Sequence, residues 1–201
     1  GPITSSISLA ISQNLARWDA AFLGTMSKAD KLTQDACNPR FIRSNHSDAM
    51  DLAMINEWAK GLPGNNFAIM AADYVWGQDS AKSFETAVTG QGKKVGTKLF
   101  VPLGTKDYAP YIQQLKNAKA DAIWVADVSG AIAFTKQAAD FGLIPQTPLI
   151  GHALLSNFIV NATGNALTNV PGNVGYTPDI DTPQSQPFAA ALKAPHNRPP
   201  P

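Results

Sequence analysis

An α/β fold, a mostly parallel sheet with helices on both faces, is predicted by three features of this 201-residue chain. Short apolar runs alternate with helix-period segments, strand then helix, which is the βαβ rhythm and implies right-handed crossovers. Two of the runs, Phe67–Ala72 and Ala122–Ala126, are apolar throughout, as strands covered on both faces are. Three of the strands hand a polar or aromatic side chain to the loop that follows: Tyr74 and Trp76, Asp127, and His152. The crevice outside the carboxyl ends of such a sheet is where small molecules bind.

Taken in order, residues 3–36 hold a helical segment with Leu9, Ile11, Leu15 and Trp18, then a short apolar strand, Ala20–Leu23. They read as the last βα piece of a separate lobe, with Pro39–Arg43 as the link onward. Ser47 is placed to cap a helix whose inner face is Met50, Met54, Ile55 and Trp58, with Gly61 at its end. The buried strand Phe67–Ala72 follows, then a helix with Phe84, Ala87 and Val88 inside and Gly90 near its end. Val95–Val101 alternates and reads as a strand nearer an edge, because Lys98 must reach solvent. Asp107 is placed to cap a helix carrying Tyr111, Ile112, Leu115 and Ala118, and the next buried strand is Ala122–Ala126. Ser129 is expected to cap a helix with Ile132, Phe134, Ala138 and Phe141 inside, closed by Gly142 before a fourth strand, Pro148–Gly151. After Asn173–Tyr176 the chain turns Pro-rich and carries a short helix, Phe188–Lys193, assigned to a return toward the first lobe. The predicted organisation is 1–43 as the partial first lobe and first crossing, 44–175 as the α/β lobe, and 176–201 as a second crossing.

With 44% apolar residues the chain can fill an ordinary globular core. Sixteen Lys plus Arg against fifteen Asp plus Glu leave a net charge of +1, with no basic stripe to follow a phosphate backbone, so no nucleic-acid partner is expected. No run is long enough for a membrane helix and the opening lacks signal-peptide order; a soluble chain is expected. The Gly1-Pro2 opening and the Pro199-Pro200-Pro201 ending lead us to expect a fragment of something longer. Cys37 is the single cysteine, so no internal disulfide is expected, and it reads as a small buried or half-buried thiol rather than a reactive one.

Enzyme motifs are absent from the sequence. Gly92-Lys93 lacks the earlier glycine of a phosphate-binding loop, no Gly-x-Gly-x-x-Gly follows a strand, and no Gly-x-Ser-x-Gly elbow occurs. His46, His152 and His196 are too scattered for a helical metal motif. No catalytic residue, metal or cofactor is therefore predicted. Asn45-His46-Ser47 and Asn161-Ala162-Thr163 match the glycosylation pattern, which is too short to carry weight.

The residues left are candidates for holding a ligand, and each has two readings. Ser5 and Ser6, before a helix, can offer hydroxyls and free N–H groups to a carboxylate, or be caps without a ligand. Ser27 and Lys28 can meet the same anion, or be an ordinary solvated loop. Tyr74 and Trp76 can wall a ligand's apolar part or anchor their loop against the sheet. Asp127 must be paired, either with a ligand cation such as an ammonium or with the start of the next helix. His152 can donate to a ligand oxygen or pack as a satisfied structural histidine.

At several points the chain resembles the amino-acid-binding periplasmic proteins of ABC importers, the leucine/isoleucine/valine-binding type with the type I periplasmic fold. The points are Asp73-Tyr-Val-Trp-Gly-Gln-Asp79 closing a strand, Gly104-Thr-Lys-Asp-Tyr108, Leu115–Trp124, Phe134–Gly142, and Leu149-Ile-Gly-His152, in that order. The resemblance implies two α/β lobes joined by crossing segments with the ligand trapped between them. It further implies one complete lobe plus part of the other in this chain, and an extracytoplasmic protein, periplasmic or anchored at the cell surface, that serves a membrane permease. A full-length protein of this kind is expected to be a monomer. The family's carboxylate-holding serines fall on Ser5 and Ser6 and the following loop on Ser27 and Lys28; Tyr74, Asp127 and His152 fall at the positions that meet the ligand's amino group. The acid expected near His152 in leucine-type binders is missing, Lys28 replaces a small polar residue, and Trp76 adds bulk. The expected ligand is thus an amino acid, an aromatic acid or another small carboxylate or amide. Two rivals remain: a ligand-sensing domain of a receptor or amide-responsive regulator with the same fold, and, last, an α/β enzyme whose catalytic loops lie elsewhere.

Overall fold

A computed structural model describes residues 1–177 and 180–196; the Pro199–Pro201 ending and the side chain of His196 lie outside the described residues. The chain opens with α1 (Ser5–Ser12), which stops sooner than the apolar spacing predicts. Residues 13–19 run in turns, with Asp19 in the left-handed region at φ 48°. Two short strands follow, β1 (Phe22–Gly24) and β2 (Phe41–Arg43), paired in parallel. The segment expected to be only a link therefore contains a strand. Phe41 is drawn into the ladder opposite Phe22, with ring centroids 5.3 Å apart, and the pair packs on Leu15 and Leu32.

The main sheet is all parallel and comprises β3 (Asn66–Ala72), β4 (Lys94–Val101), β5 (Ala122–Ala126), β6 (Leu149–His152) and β7 (Gly172–Asn173) in the order β4-β3-β5-β6-β7. Helices α2 (Asp48–Ala59) and α3 (Val75–Thr89) cover one face; α4 (Ala109–Asn117), α5 (Ala131–Asp140) and α6 (Asn157–Thr163) cover the other. The unbroken apolar run of β3 follows from this: Phe67, Ile69 and Ala71 enter the core under α2 and α3, while Ala68 and Met70 enter the opposite core. The edge strand β4 alternates instead, and Lys98 reaches Glu85 at 2.9 Å. Short β7, which sequence reasoning leaves out, pairs only two residues with β6.

Several local expectations change. On α2 the predicted inner residues Met50, Met54 and Trp58 are exposed; the buried stripe is Asp48, Asp51, Ile55 and Ala59. Helical periodicity fits both stripes, and the one with two carboxylates is turned inward where Lys28 and His152 bind Asp51. Phe141 falls just beyond α5 and is 51% exposed, and Cys37, expected to be at least half-buried, is exposed too. Ser129 is not the cap of α5; Gly130 holds that position and Asp127 binds its N–H. The last described helix, α7 (Ser185–His196), is longer than predicted and is tied to the preceding segment by Tyr176, whose ring meets Phe188 edge-on at 5.2 Å. None of the described helices is long and apolar enough to cross a membrane.

Candidate ligand site

Because β3, β5 and β6 are adjacent and parallel, with Ala71 opposite Ala126 and Val125 opposite Gly151, the residues after them gather on one rim. Tyr74, half-buried at the start of α3, lies 5.9 Å from the ring of Trp76, which lies 4.9 Å from the ring of His152. Trp76 is not an open wall but 4% exposed and part of the core, and its Nε1 has no partner. Its loop is locked close to the sheet, since a side chain at Gly77 would strike the Ala72 carbonyl. Burial, reinforced by the negative charges of Asp127 and Asp48, pushes the Tyr74 hydroxyl well above its ordinary range, so it stays a donor.

Asp127 is engaged within the protein. Its Oδ1 accepts from the Ser129 hydroxyl at 2.8 Å and the Gly130 N–H at 2.9 Å, and its Oδ2 accepts from the Tyr108 hydroxyl at 2.6 Å. Of its two readings the helix-capping one describes this geometry. Gly130 is needed here, because a Cβ would overlap the Tyr108 hydroxyl oxygen.

His152 is likewise satisfied and only 2% exposed. The Trp124 indole can only donate, and it donates to Ser80 Oγ at 3.0 Å. Asp51 is ionised and can only accept, so His152 Nε2–H donates to Asp51 Oδ2 at 3.0 Å, and in the neutral ring Nδ1 then accepts from the Ser80 hydroxyl, 2.6 Å away. Lys28 Nζ reaches the same Asp51 oxygen at 2.8 Å. Burial, and the nearby Lys28 charge, lower the His152 pKa and keep it neutral. Burial opposes ionisation of Asp51, but hydrogen bonds from His152 and Lys28 and the Lys28 charge outweigh it and hold Asp51 down at about 2.

Asp48 sits beside this group, its Oδ1 3.9 Å from His152 Nε2. It is 1% exposed and neither carboxyl oxygen has a hydrogen-bond partner. Burial, with the Asp51 charge adding to it and Lys28 opposing, pushes its pKa up to about 8, so it carries a proton at neutral pH. Donor atoms of Asp48, Asp51 and His152 lie within 4.8 Å of one another, a spacing that a cation could bridge; the Lys28 ammonium already fills that electrostatic role. His46 Nε2 is 3.2 Å from Asp51 Oδ1, without hydrogen-bond geometry.

The serines divide. Ser5 and Ser6 are the first two residues of α1 rather than its preceding cap. Ser5 is buried and its Oγ accepts the Ala29 N–H at 3.3 Å, while Ser6 is exposed. Ser27 is buried: it shares a hydrogen bond of 2.6 Å with Ser8 and donates to the Pro2 carbonyl at 2.9 Å. The fold thus links Lys28, through Asp51, to His152, Trp76 and Tyr74. It does not bring Ser6 or Asp127 into that chain, although the Asp127 charge reaches Tyr74. The acid that the sequence lacks beside His152 comes from α2, as Asp48 and Asp51. Sequence reasoning missed both, along with Ser80 and Tyr108. The usable signal was Asp48-x-x-Asp51 on the stripe that continues to Ile55, with both acids in a helix's first turn.

A family model described as a periplasmic binding protein matches residues 1–201, and the chain belongs to that family. No curated protein sequence matches it. Among solved structures, an ABC transporter substrate-binding protein from Sphaerobacter thermophilus is 27% identical, with a TM-score of 0.85 over 98% of this chain and 55% of its own. A solute-binding protein of an ABC transporter from R. palustris, in complex with benzoate, is 18% identical, with a TM-score of 0.89 over 100% of this chain and 55% of its own. An amino acid ABC transporter substrate-binding protein from Pseudomonas fluorescens Pf-5 is 16% identical, with a TM-score of 0.82 over 100% of this chain and 54% of its own. The chain spans about half the length of the structures it matches.

Proposed function

We propose that this chain is part of the extracytoplasmic solute-binding subunit of an ABC importer, which holds a small carboxylate or amide between two lobes and presents it to a membrane permease. The ligand is an amino acid or an aromatic acid, and no bond is made or broken. The observation that carries the reading is the rim itself: Tyr74, Asp127 and His152 close three neighbouring parallel strands, and Lys28, from the part of the chain before the main sheet, reaches that rim through Asp51. Ser5, Ser6, Ser27 and Lys28 belong to the first side of the cleft; Tyr74, Trp76, Asp127 and His152 belong to the second. Within it, Ser6 and Tyr74 face the ligand, while Ser27, Asp127 and His152 hold the loops that shape the site. Closure of two lobes around a hinge is favoured by ligand because only the closed form is contacted from both sides.

The test is a thermal-shift and calorimetric comparison of benzoate, leucine and benzamide on the full-length protein that carries this chain. One of them should raise the midpoint, as mass action requires, by about 3 kcal/mol of stabilisation at a hundredfold excess over Kd. Tyr74→Ala should reduce that affinity at least tenfold. An undiminished shift in this variant would end the assignment of the rim as the ligand site.

A further inference from the structure

Under α2, beside the strand end that carries His152, the sheet carries a cavity of ≈ 520 Å³. Trp124 forms its floor, Met54, Ile55 and Trp58 of α2 one wall, and Val174 and Ile180, on the chain leaving β7, the other. This volume falls among those of small-molecule sites, about 300–1,000 Å³. No charged side chain borders it, so a charged guest would be buried without a counter-ion, which is strongly unfavourable.

Two polar side chains border the cavity, Asn173 and Thr177, and the unpartnered donor is on Asn173. Asn173 borders the cavity and is 8% exposed. Its Oδ1 accepts the Ala153 N–H at 3.2 Å, which fixes the carboxamide's orientation and makes Nδ2 its donor end. Nδ2 has no partner. A buried donor left unpaired destabilises by about 1–3 kcal/mol, and an apolar helix laid over this face would leave it unpaired. A guest with one acceptor oxygen removes that penalty.

We infer that this cavity is a second small-molecule site, next to the rim but lined by none of Tyr74, Trp76, Asp127 and His152, and taking a neutral, largely apolar molecule with a single hydrogen-bond acceptor such as a ketone or ester carbonyl. The inference rests on Asn173 and the apolar wall, not on the importer assignment, so it stands or falls independently.

Acetophenone and ethylbenzene, matched in shape but not in the carbonyl oxygen, are the probes, titrated into ¹⁵N-labelled protein and followed by NMR. Acetophenone should shift the Trp58 indole and Asn173 side-chain amide signals and bind about 5–10-fold more tightly than ethylbenzene, the worth of one net hydrogen bond. Asn173→Leu should erase the difference. Met54→Trp, at a residue already 52% exposed, should fill the cavity and abolish binding, which keeps the inference testable if the Asn173 variant does not fold. Sodium benzoate should leave these signals in place. Failure of both probes to bind, equal affinities in the unaltered protein, perturbations confined to the rim, or binding that survives Met54→Trp would each overturn the inference.

Discussion

In β3 the side chains on both sides of the strand are buried, Phe67, Ile69 and Ala71 under one helical layer and Ala68 and Met70 under the other. In β1 and β2 the same alternation buries only one side: Phe41 is 8% exposed, whereas Leu23 and Ile42 are 55% and 58% exposed. The rule of two is obeyed in both sheets, and what differs is whether a layer exists to receive the outward residues. A strand in the middle of two layers is held from both faces; a strand with one layer relies on neighbours such as Leu15 and Leu32. Phe134→Ala, at a side chain with 0% exposure in the larger core, should therefore lose about 3–5 kcal/mol in urea unfolding. Leu15→Ala should lose about 2 kcal/mol, the low end for such truncations, because the site around it can collapse. Equal losses would mean that the small sheet shares one cooperative core with the large one.

The two regions are joined by Lys28, whose ammonium meets Asp51 at 2.8 Å while its carbonyl accepts the Asp48 N–H at 3.0 Å. Asp51→Ala removes the acceptor of both Lys28 and the His152 Nε2–H, leaving a half-buried cation and a buried donor unpaired. Removing one partner of a buried pair typically destabilises by about 3 kcal/mol. Hydrogen exchange should show β1 and β2 amides opening much more readily in this variant than β3 amides. Uniform acceleration in all strands would show that the ion pair serves the whole molecule rather than the junction.

Much of this was legible in the sequence, and the legible parts have a common physical reason. Phe67–Ala72 and Ala122–Ala126 have to be covered on both faces because they contain nothing that tolerates water, and their order with the intervening helices forces adjacency on one rim. Helix faces were less readable: in α2, Met50, Met54 and Trp58 recur as regularly as Asp48, Asp51 and Ile55, so periodicity alone has two solutions. The choice depends on Lys28 and His152, which lie twenty residues before Asp48 and about a hundred after Asp51 in the chain. The helix-start reading of Asp127 was legible, but its bond from Tyr108 was not, since Tyr108 completes that arrangement from a different loop. Short β2 and β7 lack the length for a periodic signal.

Asp48 gives a sharper handle on the junction, through pH. Its folded pKa is raised to about 8 from an ordinary carboxylate value near 4. Between these values the folded state binds a proton that the unfolded chain has released, so the contribution is fully present at acid pH and is lost as pH rises toward 8. The expected slope is on the order of 1 kcal/mol per pH unit across that window. Asp48→Asn should flatten it, measured as unfolding free energy from pH 5 to 8. Asp51, held at about 2, acts in the opposite sense: its contribution is present above the unfolded value near 4 and is lost as pH falls from there toward 2. A slope unchanged by Asp48→Asn would mean that the Asp48 carboxyl is ionised despite its burial.

The smallest expected effect concerns the outer side of the two-stranded sheet. Leu23 and Ile42 are directly opposite each other in the ladder, both more than half exposed, and Thr is as good a strand former on an open face. The double change Leu23→Thr and Ile42→Thr should therefore alter the unfolding free energy by no more than about 0.5 kcal/mol, as surface substitutions away from special features do. It should also lower self-association in sedimentation, because it removes paired apolar side chains from the surface. A loss above about 1.5 kcal/mol is what buried aliphatic side chains show. Such a loss would mean that another surface covers this face in solution, and that the difference between the two sheets lies in their partners rather than in their cores.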